Sequence, residues 1–413
     1  MRPIASILLF ALPAIIISCE NKNNSSENVS EDVQVEAATI GKHIEQLASD
    51  EFMGRMPFTE GETKTINYLE EEFKALGLEP GNGDSYFQEV PLIEITGIPS
   101  PVMTISGGDT QMELAHFDDF VALTEKPVDE VSLENSELVF AGYGIVAPEY
   151  GWNDYEGIDW EGKTAVVLVN DPGFESGDST LFKGNAMTYY GRWTYKYEEA
   201  GRQGAAGILV IHDTKPASYG WNVVQSGWTG PQLTMETSAP LADIEGWISE
   251  EATQKIFESA GLDPAKLREM ARQPDFKPVP LGLNASVEVK NSIRTDVSRN
   301  VVAKIPGTER ADEYIIYTAH WDHLGVGRPI DGDSIYNGAV DNASGTACLL
   351  AIAEAFQKGP APQRSVVFLA VTAEEQGLLG SAYYAENPIY PPEQTVANIN
   401  MDAIESPGPM KDL

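Results

Sequence analysis

Three apolar runs, each ending on residues able to hold a cation, constrain this chain most. Tyr314–Ala319 (YIIYTA) runs into His320, Trp321, Asp322 and His323. Ser365–Val371 (SVVFLAV) leads to Glu374 and Glu375, and Thr395–Met401 (TVANINM) ends on Asp402. The first reads as a continuous apolar strand, the second as a buried strand, and Thr395–Met401 as a third strand. Helical patterns over Ser344–Lys358 and Gln376–Glu386 alternate with them. Such alternation predicts an α/β fold with a mostly parallel sheet flanked by helices. Ligands of open α/β sheets gather at the carboxyl ends of the strands. His320, Asp322, Glu374, Glu375 and Asp402 are therefore expected in one pocket, joined by Asp341 from NGAVDNASG, just ahead of a helix.

One imidazole among several carboxylates suits a borderline divalent cation, Zn²⁺ first. A carboxylate between two metals can bridge them, and paired metals polarise a carbonyl and acidify a shared water. That water needs a base, which the second carboxylate of a Glu-Glu pair can supply. Each piece alone has a plainer reading: a turn and N-cap for DNASG, a solvated helix start for Glu374-Glu375. The ordered set, each member at a strand end or helix start, is what points to a site.

The succession HWDH, NGAVDNASG, AEEQGLLGS and NINMD resembles the co-catalytic zinc aminopeptidase family, which includes bacterial leucyl aminopeptidases. Its relatives include glutamate carboxypeptidase and the transferrin receptor ectodomain. The resemblance covers roughly Thr39 to Asp402, with specific motifs from His320 onward. It implies His320 and Asp402 on one zinc, Asp341 bridging two zincs, and Glu375 on the second. It implies Glu374 as the general base and Asp322 as the residue orienting His320. His323 matches no family role and is expected to be structural or at the pocket rim. The implied activity is hydrolysis of N-terminal peptide bonds. Carboxypeptidase, glutaminyl cyclase and non-catalytic receptor relatives on the same scaffold are the alternatives.

The family pattern has one further His downstream of the Asp402 position. The five histidines here are His43, His116, His212, His320 and His323, and none follows Asp402. The second zinc site is thus expected to lack a ligand, and the 413-residue chain to be a C-terminally truncated or inactive fragment with an exposed sheet edge.

Upstream, residues 39–127 are read as the N-terminal part of the peptidase domain. They carry a helical pattern from Thr39 to about Gly77, with Thr59 and Glu62 as a capping-box signal. Residues 128–285 change texture, with strand-like runs at Glu137–Ala141, Thr164–Val169 and Gly207–Ile211. They resemble an inserted, β-rich protease-associated domain, and 286–413 form the catalytic part. Gly142–Ala147 is formally G-x-G-x-x-A, but Pro148 and Gly151 follow at once, so it opens no helix and is no dinucleotide loop. The aromatics Tyr189, Tyr190, Trp193, Tyr195 and Tyr197 are expected to pack the insert, with a substrate groove as the alternative. Cys348 is expected in a packed helix.

The net charge of −36 repels phosphate backbones and excludes sequence-independent nucleic-acid binding. Arg2 precedes an apolar run, Ile4–Ile17, shorter than the roughly 20 residues that span a bilayer, so 1–18 read as a secretory signal. Ile16-Ile17-Ser18-Cys19 resembles a lipobox, with Cys19 acylated, and 19–38 form a polar, disordered tether. The expected setting is a bacterial cell envelope, with peptide substrates and membrane contact only through that lipid.

Overall fold

The computed structural model describes residues 34–404. The signal segment, Cys19, most of the tether and the terminal stretch after Ile404 lie outside them. Eleven strands and five helices position the site. In chain order the first are α1 (Ala37–Leu47), α2 (Glu60–Ala75), β1 (Phe87–Pro99), β2 (Phe120–Leu123), β3 (Glu130–Phe140) and β4 (Thr164–Leu168). Next come α3 (Trp193–Arg202), β5 (Gly207–Ile211), β6 (Pro231–Thr234), β7 (Ile244–Ile248), β8 (Val279–Ile305) and β9 (Arg310–His320). The last are α4 (Gly345–Lys358), β10 (Arg364–Val371), α5 (Leu379–Glu386) and β11 (Thr395–Asn400).

The main path of the sheet runs β11-β9-β10-β8-β3-β4-β5-β7-β2. Strands β11, β9 and β10 are mutually parallel, as are β3, β4, β5 and β7, and antiparallel β8 joins the two sets. This is the expected α/β architecture. Strands β9 and β10 read as apolar runs because helices cover them. Ile66, Leu69 and Phe73 of α2 and Leu349, Leu350 and Ala353 of α4 bury themselves against Val301, Ala303, Val366 and Phe368. Val302, Ile316, Val367 and Leu369 fill the opposite face. Each such side chain contributes about 1.5–3 kcal/mol on burial.

The capping signal at α2 takes a particular form. Thr59 Oγ1 accepts from the Gly61 N–H, and buried Glu62 accepts from the Phe58 N–H at 2.6 Å. The other Glu62 oxygen accepts from the Ser298 hydroxyl on β8 at 2.9 Å, so the cap also fastens α2 to the sheet.

The segment boundaries read at 127/128 and 285/286 are not breaks in hydrogen bonding. Strand β2 pairs with β7 from the far side of the first boundary, and β8 runs through the second. A 27-residue strand stays continuous because its two halves have partners of their own, β3 over Val279–Lys290 and β1 over Val289–Val301. Strand β11, by contrast, is exposed along most of its length. Among the described residues no helix is long and apolar enough to cross a membrane.

Candidate metal centre

Parallel pairing brings the polar strand ends together. Register sets His320 beside Val371 and Thr318 beside Asn400, so the residues after β10 and β11 emerge next to the end of β9. The fourth component is the irregular turn Ala339–Ser344, which carries Asp341 into α4. Asn342 ties this turn to the Asp402 loop. Its Nδ2 donates to the Met401 carbonyl at 3.0 Å, and its Oδ1 accepts from the Gly345 N–H at 2.9 Å and the Ala403 N–H at 3.3 Å.

Two donor groups result. His320, Asp341 and Asp402 form one, and His323, Asp341 and Glu375 the other; in each, one ligand atom per residue lies within 4.8 Å of the rest. Asp341 belongs to both, as a bridging carboxylate must. His320 Nε2 is 3.1 Å from Asp341 Oδ1, 3.3 Å from Asp402 Oδ1 and 3.8 Å from Glu374 Oε2. Asp341 Oδ1 is shut from solvent with no aligned hydrogen-bond donor, the His320 ring being its nearest positive group, and a buried carboxylate so placed favours a cation beside it. Burial pushes the His320 ring down, but Asp322, Glu374 and Glu375 outweigh it and hold the ring up at about 10. The cluster therefore demands positive charge, and the imidazole-carboxylate donor set fits Zn²⁺.

Asp322, wholly buried, is the hinge of the arrangement. Its carboxylate lies 3.6 Å from His320 Nδ1 and accepts the Glu374 N–H at 3.0 Å and the Glu375 N–H at 3.3 Å. One side chain thus sits against the imidazole and fixes the Glu-Glu turn. Burial pushes the Glu374 carboxyl up to about 7, opposed by His320 and reinforced by Asp322, Glu375 and Asp402. A carboxyl poised there can accept a proton near neutrality.

All six residues singled out from the strand ends and the DNASG turn come together. His323, expected to be structural or at the pocket rim, lies within the cluster. Its Nδ1 bonds to Glu375, and it is a member of the second donor group. The signal was present in HWDH, but only the fold shows which way the second imidazole turns. Arg55 was missed altogether. It is 1% exposed, and its guanidinium donates to the carbonyls of Trp321, Leu47, Asn337 and Gly338 at 2.6–2.9 Å. Burial pushes it down to about 10, against the pull of Asp322, Glu375 and Asp341. Gly338 has φ +58°, and a Cβ added there would lie 2.5 Å from His323 Cγ and 2.6 Å from Arg55 Nη2, so only glycine fits.

A cleft of about 1230 Å³ opens beside Glu375 and Gln376 and runs to Trp193, Tyr197 and Trp228 of the 128–285 segment. The insert aromatics divide accordingly. Tyr195 and Tyr197 are buried and Tyr190 packs on the core, while Trp193 and Tyr197 also wall the cleft. Cys348 is half-buried in α4.

Residues 300–413 match the family model described as Peptidase family M28. Over 138 residues the chain is 38% identical to "Aminopeptidase NAALADL1" of Mus musculus, covering 31% of this chain and 17% of that protein. Over 130 residues it is 35% identical to "Glutamate carboxypeptidase 2 homolog" of Caenorhabditis elegans, covering 30% and 16%. The match thus spans about a sixth of the length of these curated relatives. Among solved structures, "Aminopeptidase from Aneurinibacillus sp. strain AM-1" aligns over 90% of this chain and 71% of its own, with a TM-score of 0.47 and 19% identity.

Proposed function

We propose that this chain, whose C-terminal segment matches a metallopeptidase family, is a two-zinc aminopeptidase exported to the cell envelope. The observation that carries the metal reading is the pair of donor groups sharing Asp341. His320 and Asp402 would hold one zinc, Glu375 and His323 the other, with Asp341 between them. Bound zinc supplies Lewis-acid polarisation of the scissile carbonyl and a water acidified toward neutrality.

The chain's own residues supply the rest. Glu374, ahead of the ligand Glu375, takes the proton from the attacking water and returns it to the leaving amine. Its carboxylate lies 3.8 Å from the His320 ring, at the edge of the same donor cluster. The Asp322 main-chain carbonyl, 3.1 Å from His320 Nδ1, keeps the ring oriented, and the Asp322 carboxylate holds the Glu374 backbone in register. Asp341 and Asp402 are half-exposed, so this face of the cluster is open to solvent. Export and acylation at Cys19 rest on the Ile4–Ile17 run and the lipobox-like tail.

The test is a peptide series with free and Nα-acetylated termini, followed by mass spectrometry. Stepwise loss from free N-termini alone, abolished in Glu374→Gln with zinc retained, supports the reading. Loss from the C-terminus makes the chain a carboxypeptidase, and an unchanged rate in E374Q removes Glu374 as the base. Cys19→Ala should abolish labelling by radioactive palmitate; label retained in that variant rules out the anchor.

A further inference from the structure

We propose that Arg328 anchors a carboxylate of a short peptide bound in the cleft, supplied by the peptide's C-terminus or by an Asp or Glu side chain. The proposal rests on the peptidase reading for its substrate class, while the anchor stands on its own geometry. The charged residues lining the cleft are Glu94, Glu125, Glu375 and Arg328. Three of these are acidic, in a chain of net charge −36, so a carboxylate is repelled along the cleft except at Arg328. Its guanidinium has no anion of its own. Arg202, Arg268, Arg294, Arg310 and Arg364 are each paired with a carboxylate, but among the described residues the Arg328 guanidinium makes no ion pair or hydrogen bond.

The side chain is held in place all the same. Its Cζ lies 5.7 Å from the centre of the Phe117 ring, which also lines the cleft, and the Tyr336 hydroxyl donates to the Arg328 carbonyl at 2.9 Å. Phe117 has φ +77°, a conformation that bulky residues rarely adopt. Its carbonyl accepts from the Trp221 indole N–H at 3.1 Å and the Gln225 amide at 2.8 Å, which fixes the backbone that presents the ring. A guanidinium held over an aromatic face keeps the fork of N–H donors on its edge for a planar carboxylate. The backbone ties this anchor to the metal centre. Arg328 is five residues beyond His323. At about 3.3 Å per residue the two backbones are no more than about 17 Å apart, a span that an extended peptide covers in about five residues. The strand Gly325–Ile330 is also seated closely, since a Cβ on Gly325 would lie 2.6 Å from Met56 Cβ, beside Arg55.

Binding is measured without turnover on the full chain carrying Glu374→Gln, with zinc present, by calorimetric titration with trialanine and with trialanine amide. The acid should bind about tenfold more tightly at low salt, and adding Arg328→Gln should erase the difference. Arg328→Lys keeps the charge without the fork and should retain part of it. Equal binding of acid and amide, for the terminus and for a side chain alike, overturns the anchor, and so does a preference that survives R328Q. Ala-Glu-Ala amide against Ala-Gln-Ala amide separates the two sources. A preference for Glu that R328Q removes assigns the side chain, and one confined to the free terminus assigns the C-terminus. Hydrolysis of the same peptides by the unmutated chain separates the anchor from the peptidase reading. Carboxylate binding through Arg328 with no hydrolysis leaves the anchor and removes the peptidase; hydrolysis with no carboxylate preference does the reverse.

Discussion

Arg55 Nε donates to the carbonyl of Trp321 at 2.9 Å, across 266 residues of chain. The acceptor lies between His320 and Asp322, and the same guanidinium holds Asn337 and Gly338, just ahead of Asp341. A planar fork of donors on a buried, fixed charge can gather several carbonyls at once, which an ammonium cannot. Arg55 therefore braces two ligand loops from below without touching a ligand.

Arg55→Lys keeps the charge and loses the fork. Each buried carbonyl left unpaired costs about 1–3 kcal/mol, so the urea midpoint should fall and zinc affinity should weaken with it. An unchanged midpoint means water or a shifted backbone satisfies the carbonyls, and the bracing role is withdrawn.

Asp322→Asn preserves shape while removing the negative charge beside His320 and weakening the acceptor for the Glu374 and Glu375 N–H groups. Zinc affinity should drop about 10–100-fold, as expected when a carboxylate beside a ligating imidazole and behind the ligand Glu375 loses its charge. Competition with a chromophoric chelator measures it, and wild-type affinity would remove Asp322 from that role.

His323→Ala tests the second donor group. Metal stoichiometry by mass spectrometry should fall from two zincs per chain to one, with the His320 group still loaded. Two firmly bound zincs in the variant show that His323 is no ligand and that the second ion is held by other groups.

His43 supplies a pH dependence away from the metal centre. The ring is 4% exposed, bonded to the Tyr68 hydroxyl at 2.6 Å, and burial holds its pKa below the ordinary 6.5. Below about pH 6.5 the unfolded ring takes a proton that the folded ring refuses, so the unfolded state binds more protons. Stability is therefore present above that pH and is lost as pH falls through the folded value. Chemical denaturation at pH 7.5, 6.5 and 5.5 should show wild type losing ground to His43→Gln; parallel curves contradict it.

Much of this was legible in the chain itself. Apolar runs long enough for one strand, punctuated by helical periodicity, specify a covered parallel sheet, and such a sheet exposes its strand ends. That local logic located His320, Asp322, Asp341, Glu374, Glu375 and Asp402. It also set Thr59 and Glu62 at the start of α2, because capping acts over a few residues.

Contacts across long separations were settled by tertiary structure alone. Arg55 meets Trp321 because α2 and the turn before it pack under the β9 end, and no spacing in the sequence encodes that approach. His323 turns toward Glu375 because Gly338 leaves room for its ring and the Asp322 clamp fixes the facing turn. Periodicity is a property of neighbouring residues and can be read along a chain. The partner of a buried charge is chosen by packing in three dimensions, where burial strips away water and leaves the nearest dipole or charge to decide.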